Sequence, residues 1–242
     1  MEKQKLIYEG KAKNIYETDD NTLFLAEYID QATALNGLKK DYIKGKGQMN
    51  NQITSLIFEK MKEKGIPNHF VGKVSKTEQL IKKVEIFPLE IVVRNITAGS
   101  FCKRLGLEEG LELPFPIIEF YYKDDSLDDP FINEEHIKYL AIATETEIQE
   151  LKDLALKVNQ ALSELFTEIG IKLVDFKIEV GKLSNGELLL ADEISPDTCR
   201  LWDEKTNEHL DKDVYRRDLG DIIPIYQEVL ERLEKTVVNK GL

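Results

Sequence analysis

The segment Leu173 to Arg200 places charge where the sequence is otherwise apolar. Asn185-Gly186 is a strong hairpin-turn signal, and with these two as the loop residues Ser184 faces Glu187 and Glu179 faces Asp192. The same register sets Lys177 opposite Ile194, and the two-residue period of a strand puts Asp175 on the face of Glu179. Directly opposed carboxylates repel unless a cation lies between them. Magnesium fits, because it takes hard oxygen ligands, often one or two carboxylates, with substrate phosphates and water. Solvated carboxylates on an exposed face are the plain alternative. Val174, Phe176, Ile178 and Leu188 to Leu190 argue for a core hairpin instead, where charge must be paired or metal-bound. The segment therefore reads as a magnesium and nucleotide site.

A second group of residues has the chemistry of an anion site. Arg94 ends the apolar run from Pro88, and Ala98-Gly99-Ser100 precedes a helix expected from Phe101. Ser100 serves either as an N-cap or as part of an anion pocket at a helix N-terminus. Arg200 follows the hairpin directly, and two converging arginines suit a substrate phosphate. Gly10-Lys11-Ala12-Lys13 is a basic loop, solvated or phosphate-binding; there is no G-x-x-x-x-G-K-[ST] and hence no P-loop. His69, His136 and His209 lack metal spacing and read as structural or surface residues.

The elements that must position these residues follow from periodicity. The first 30 residues alternate as a β-meander, and Met49, Ile53, Leu56, Ile57 and Met61 mark a helix stopped at Gly65. Strands are expected over 71–84, 88–94 and 117–122, with a Pro-rich connection at 113–116 and an acidic loop over 123–130. On the strand 88–94, Leu89, Ile91 and Val93 share one face and Glu90, Val92 and Arg94 the other. Thr144-x-x-Glu147 is a capping box opening a long helix to Gly170, and 222–238 is a second amphipathic helix. This order is α+β rather than a regular βαβ alternation, with a boundary expected near residue 85 that separates 1–84 from 85–242.

Composition sets the remaining limits. In 242 residues, 45 Asp and Glu face 33 Lys and Arg, a net charge of -12 that argues against nucleic acid as a partner. Cys102 and Cys199 form neither a disulfide framework nor a zinc spacing, and no run approaches the roughly 18 apolar residues of a membrane helix. A charged start without an apolar leader points to the cytoplasm.

Taken together the motifs resemble the SAICAR synthetase family over nearly the whole chain: Tyr8-Glu9-Gly10-Lys11-Ala12-Lys13, Phe87 to Arg94 with Ala98-Gly99-Ser100, Leu173 to Glu179, and Asp192 to Asp197 with Arg200. The resemblance implies an α+β fold related to ATP-grasp and kinase-like folds, with a smaller nucleotide-side antiparallel sheet and a larger substrate domain. It implies a homodimeric ligase that uses ATP and magnesium to join L-aspartate to carboxyaminoimidazole ribotide (CAIR) through an acyl phosphate. It further implies ATP contacts from Lys11, Ala12, Lys13 and Lys83, and magnesium held by Glu179 and Asp192. The ribotide side would take Arg94, Ser100, Asp175 and Arg200, with Lys177 orienting the reacting carboxylate and Lys123, Asp129 and Arg216 around the aspartate end. Asp175, Lys177, Lys123 and Arg216 form the implied catalytic set. Cys199 stands where some members have serine, and Asn36 where others have aspartate. A kinase is the nearest rival, since Asp175-Phe176-Lys177 is close to D-F-G; Arg216-Arg217-Asp218, however, follows it, whereas the kinase H-R-D precedes D-F-G. A nucleotide-sensing module is a second rival, and it would need no second anion site.

Overall fold

The computed structural model describes residues 2–34, 37 and 39–238, side chains excepted at 237 and 238. Asn36 lies outside the described residues. The chain runs β1 (Lys3–Glu9), β2 (Lys13–Thr18), β3 (Leu23–Tyr28), β4 (Gln31–Ala34), β5 (Lys39–Tyr42), α1 (Lys46–Glu63), β6 (Phe70–Lys73), β7 (Glu78–Lys82), β8 (Glu85–Ile86), β9 (Leu89–Ile96) and α2 (Gly99–Leu105). It continues with β10 (Glu112–Tyr122), a 3-10 turn (Asp125–Leu127), β11 (Phe131–Ile132), α3 (Glu134–Tyr139), α4 (Glu145–Glu168), β12 (Ile171–Lys182), β13 (Leu188–Ala191), β14 (Cys199–Asp203), α5 (Asp213–Arg216) and α6 (Ile222–Val238).

The expected meander, the two amphipathic helices and the alternation of β9 are all present. Thr144 Oγ1 accepts from the Glu147 amide (3.2 Å) while Glu147 Oε2 accepts from the Thr144 amide (2.8 Å), so the capping box starts α4 where its sequence places it. Two expectations change. The run 71–84 is a hairpin of β6 and β7, closed by the Val74 amide donating to the Glu78 carbonyl (2.9 Å), and not one strand. The Pro-rich stretch 113–116 belongs to β10; Pro114 and Pro116 donate no amide bond, and the pairing with β9 is irregular between Glu112 and Ile117.

An antiparallel sheet ordered β1-β2-β3-β7-β6 draws only on residues before 83, and the larger sheet, β11-β10-β9-β12-β13 with β14 and β8 also on β12, only on residues after 84. Residues 83 and 84 lie between the strands of the two sheets, while the core is continuous across them. Ile53, Ile57, Phe58 and Met61 of α1 share one apolar cluster with Leu89, Ile91 and Val93 of β9 and with Leu151, Val158 and Leu162 of α4. Burial of each such side chain contributes roughly 1.5–3 kcal/mol, which fixes the two sheets against one another and sets the cleft between them. None of the described helices is long and apolar enough to cross a membrane.

Candidate active site

The hairpin register differs by one residue from the sequence reading: Glu179 pairs with Ala191, and Val180 with Leu190. The cause is the loop. Leu183 and Glu187 close it (Leu183 N to Glu187 O, 2.9 Å), leaving Ser184, Asn185 and Gly186 as three loop residues with Gly186 at φ 90°. Asn-Gly fits this turn as well as a two-residue one, because glycine takes the left-handed position in both. A one-residue slip would send Asp192 to the opposite face. Asp192 instead adopts φ 59° just beyond β13, and its carboxylate and that of Glu179 both reach Lys177 Nζ.

Lysines lie between the two carboxylates. Lys177 Nζ is 3.2 Å from Glu179 Oε1, 3.2 Å from Asp192 Oδ2 and 3.0 Å from Glu90 Oε1. Lys123 Nζ reaches both oxygens of Glu179 at 2.7 Å, and Lys13 Nζ reaches Asp192 Oδ1 at 2.5 Å. Burial works to raise the Asp192 pKa, but Lys13, Lys177 and Lys123 together hold it far below the usual carboxylate range. Burial likewise works to lower Lys177, while Asp192, Glu179 and Glu90 hold it well above the ordinary lysine value. The buried His69 donates from Nε2 to the Asp192 carbonyl (3.2 Å), with burial depressing its pKa to about 3, so it is a neutral structural residue that fixes this corner.

Lys13, Lys123, Glu179 and Asp192 close one end of a cavity of about 410 Å³ whose other walls are apolar: Ile15, Phe24, Ile81, Val84 and Ile86 among them. Lys13 enters it because β2 begins there, straight after a turn in which the Gly10 amide donates to the Lys13 carbonyl (2.9 Å). A Cβ on Gly10 would lie 2.7 Å from that oxygen, so the turn requires glycine. Lys11, more exposed, pairs with Asp125 at 2.8 Å. Lys83 stands apart, over the Phe24 ring (5.3 Å) beside a neighbouring groove.

A second cavity of about 470 Å³ is lined by Lys177 with Arg94, Ser100, Asp175, Arg200, Lys212 and Arg216, and also by Lys11 and Ala12. Pairing of three adjacent strands builds it: Asp175 on β12 is registered with Arg94 on β9 and with Arg200 on β14. Arg94 Nη1 and Arg200 Nη1 both donate to Asp175 Oδ2 (2.8 and 3.0 Å). Arg94 Nε donates to Glu119 (2.7 Å), its Nη2 reaches Ser100 Oγ (3.3 Å), and Arg200 Nε donates to Asp213 (3.0 Å). Ser100 is inside α2, whose N-cap is Ala98, so its hydroxyl faces Arg94 rather than capping. Gly99, at φ 56°, lies so close to the Arg200 guanidinium that any side chain would displace it. Burial pushes the Asp175 pKa up although both arginines pull it down.

Of the remaining candidates, Arg216 donates to Asp213 (2.7 Å) at the cavity edge, while Asp129 accepts from the Asp124 amide (2.8 Å) and shapes the acidic loop without lining either cavity. The sequence reading missed Glu119, Lys46 and Lys212, and it quoted Asp197 within a motif without giving it a role. Glu119 had a signal, a carboxylate inside the apolar run 117–122; Lys46 and Lys212 had none. His209, Asp211 and Asp213 also converge, but Asp211 accepts from the Leu201 and Asp213 amides and Asp213 from Arg200 and Arg216, which leaves no free ligand set.

Comparison with known proteins follows the same lines. A family described as SAICAR synthetase matches residues 6–233. The phosphoribosylaminoimidazole-succinocarboxamide synthase of Enterococcus faecalis is 65% identical over 233 residues, covering 96% of this chain and 98% of the relative. The crystal structure of the synthase of that name from Ehrlichia chaffeensis aligns with a TM-score of 0.93 at 48% identity, over 95% of this chain and 98% of that one. A type-2 SAICAR synthetase in complex with ADP aligns with a TM-score of 0.91 at 50% identity, over 93% and 96%.

Proposed function

The chain belongs to the SAICAR synthetase family of purine-biosynthesis ligases, and on that premise we propose that it joins L-aspartate to the carboxylate of CAIR through an acyl phosphate, consuming ATP. The observation that carries this reading is Lys177, which lines the arginine cavity and ion-pairs with Glu179 and Asp192 at the edge of the apolar one. The ADP complex of the type-2 relative supports a bound nucleotide, whose base the apolar cavity suits; Lys13 at that cavity, and Lys11 and Ala12 lining the arginine cavity, then lie toward its phosphates. Arg94, Ser100 and Arg200 then take the ribotide phosphate, and Asp175 keeps both guanidiniums aimed. Lys177 and Lys123 meet the carboxylate as phosphate passes to it, neutralising charge that grows during the transfer.

Glu179 and Asp192 fit magnesium: their hard oxygens converge on one cation position, taken by Lys177 at 3.2 Å from each. Magnesium there would neutralise the phosphate oxygens. Arg216 and Lys123 flank the aspartate end. A homodimer in the cytoplasm belongs to the same reading; Cys102 and Cys199 are both free thiols, as a reducing compartment keeps them. Sedimentation at assay concentration tests the dimer, and a monomer there rules it out.

The test is ADP release. It is expected only when ATP, magnesium, CAIR and aspartate are all present. ADP formed equally well without aspartate, or no ADP at all, would overturn the ligase reading.

A further inference from the structure

Lys212 is a lysine of the cleft that this chemistry leaves without a role. Its side chain is 11% exposed and lines the ribotide cavity between Asp197 and Arg216. Four other lysines around the two cavities are taken: Lys11 by Asp125, Lys13 by Asp192, Lys123 by Glu179, and Lys177 by Glu90, Glu179 and Asp192. Lys212 has only Asp197, at 3.7 Å, beyond hydrogen-bond range. Asp197 is already committed, accepting from the buried Lys46 on one oxygen and from Tyr226 OH on the other, both at 2.5 Å. Among the described residues, Lys212 Nζ therefore donates no hydrogen bond.

Amide formation requires a group of this kind. An amino acid arrives with its nitrogen protonated and without a lone pair, so a base must act before that nitrogen can attack. Building on the ligase reading above, we propose that the neutral Lys212 amine accepts a proton from the α-ammonium of the amino-acid substrate. The freed lone pair forms the C–N bond to the acyl-phosphate carbon. The C–O bond to phosphate breaks, and phosphate leaves with that electron pair and the second nitrogen proton. Lys212, now an ammonium, returns its proton to water.

The surroundings make a neutral amine accessible. Burial pulls the Lys212 pKa down to about 8; Asp197 opposes this, Lys46 on α1 and Arg216 on α5 reinforce it, and Glu193 opposes it more weakly. Tyr226 on α6 acts through Asp197, whose oxygen it occupies. Roughly a tenth of the amine is then neutral at pH 7 and half at pH 8.

Lys212→Arg separates this role from a structural one, since a guanidinium keeps the charge but does not deprotonate. With ATP, CAIR and aspartate, amide formation by the variant is expected to fall about 10²-fold or more. With hydroxylamine in place of aspartate, a nucleophile uncharged at neutral pH that needs no base, hydroxamate is expected to form at the wild-type rate. The wild-type kcat with aspartate should rise along a limb near pH 8 that the variant lacks. Lys212→Met, with thermal melting to confirm folding, should show the same split. A variant that keeps aspartate turnover, or loses hydroxamate in step with amide, overturns the assignment. Wild-type protein forming neither product would sink the ligase reading itself, and this inference with it.

Discussion

The two ends of the cleft are built from different cations. At the arginine end, Arg94 and Arg200 hold Asp175 from either side across three registered strands, and Glu119 and Asp213 fix their remaining nitrogens. At the lysine end, Lys13, Lys123 and Lys177 surround Glu179 and Asp192. A guanidinium is planar and directional, whereas an ammonium is a point charge on a flexible stem. The arginine end is therefore preorganised for an anion of fixed shape, and the lysine end carries charge that can be shared anew when a phosphate chain and its cation enter. The proposed chemistry needs both, since one substrate must be held still while phosphate moves past it.

Removing the shared carboxylate at the rigid end should have the largest effect. Asp175→Ala leaves two buried guanidiniums without the acceptor oxygens they share, and it is expected to cost about 3 kcal/mol, lowering the melting temperature by roughly 6–12 °C. An unchanged melt would mean that the arginines do not depend on Asp175. At the lysine end the loss should instead be catalytic: Glu179→Gln or Asp192→Asn is expected to keep the fold and lower turnover on the order of 10²-fold, through weaker magnesium binding. Wild-type turnover in either variant refutes the metal assignment.

Acid should also distinguish the ends. The Asp175 pKa is raised, so the folded state binds its proton more tightly than the unfolded chain does, and its contribution to stability grows as pH falls through that raised value. The Asp192 pKa is depressed, so its contribution is full above the ordinary carboxylate value and is lost only as pH falls below it. Carbon-13 NMR of labelled aspartates should show Asp175 titrating first on acidification; the reverse order contradicts the contrast. The smallest effect is expected at Lys11, whose ion pair with Asp125 is exposed: Lys11→Ala should change stability by less than about 1 kcal/mol in a urea titration.

Much of this architecture is legible in the sequence where a local rule decides it. The capping box at Thr144 and the alternation from Leu89 to Arg94 are set by neighbours a few residues away, and both appear as read. The hairpin register is not, because Asn185-Gly186 satisfies both a two-residue and a three-residue turn; the convergence of Glu179 and Asp192 survives only through the left-handed backbone at Asp192. Arg94, Asp175 and Arg200 stand out by residue type, yet their alignment depends on long-range pairing of β9, β12 and β14. Lys46 and Lys212 leave no local trace, since their surroundings are assembled from α1, the 193–198 loop and α6, which are distant in sequence.

The central claim is that phosphate passes from the lysine end to a carboxylate held at the arginine end. CAIR carrying ¹⁸O in its carboxylate, incubated with ATP, magnesium and aspartate, tests it directly. One labelled oxygen is expected in the released phosphate and the other in the amide carbonyl. Phosphate free of label, with amide still formed, would contradict the account.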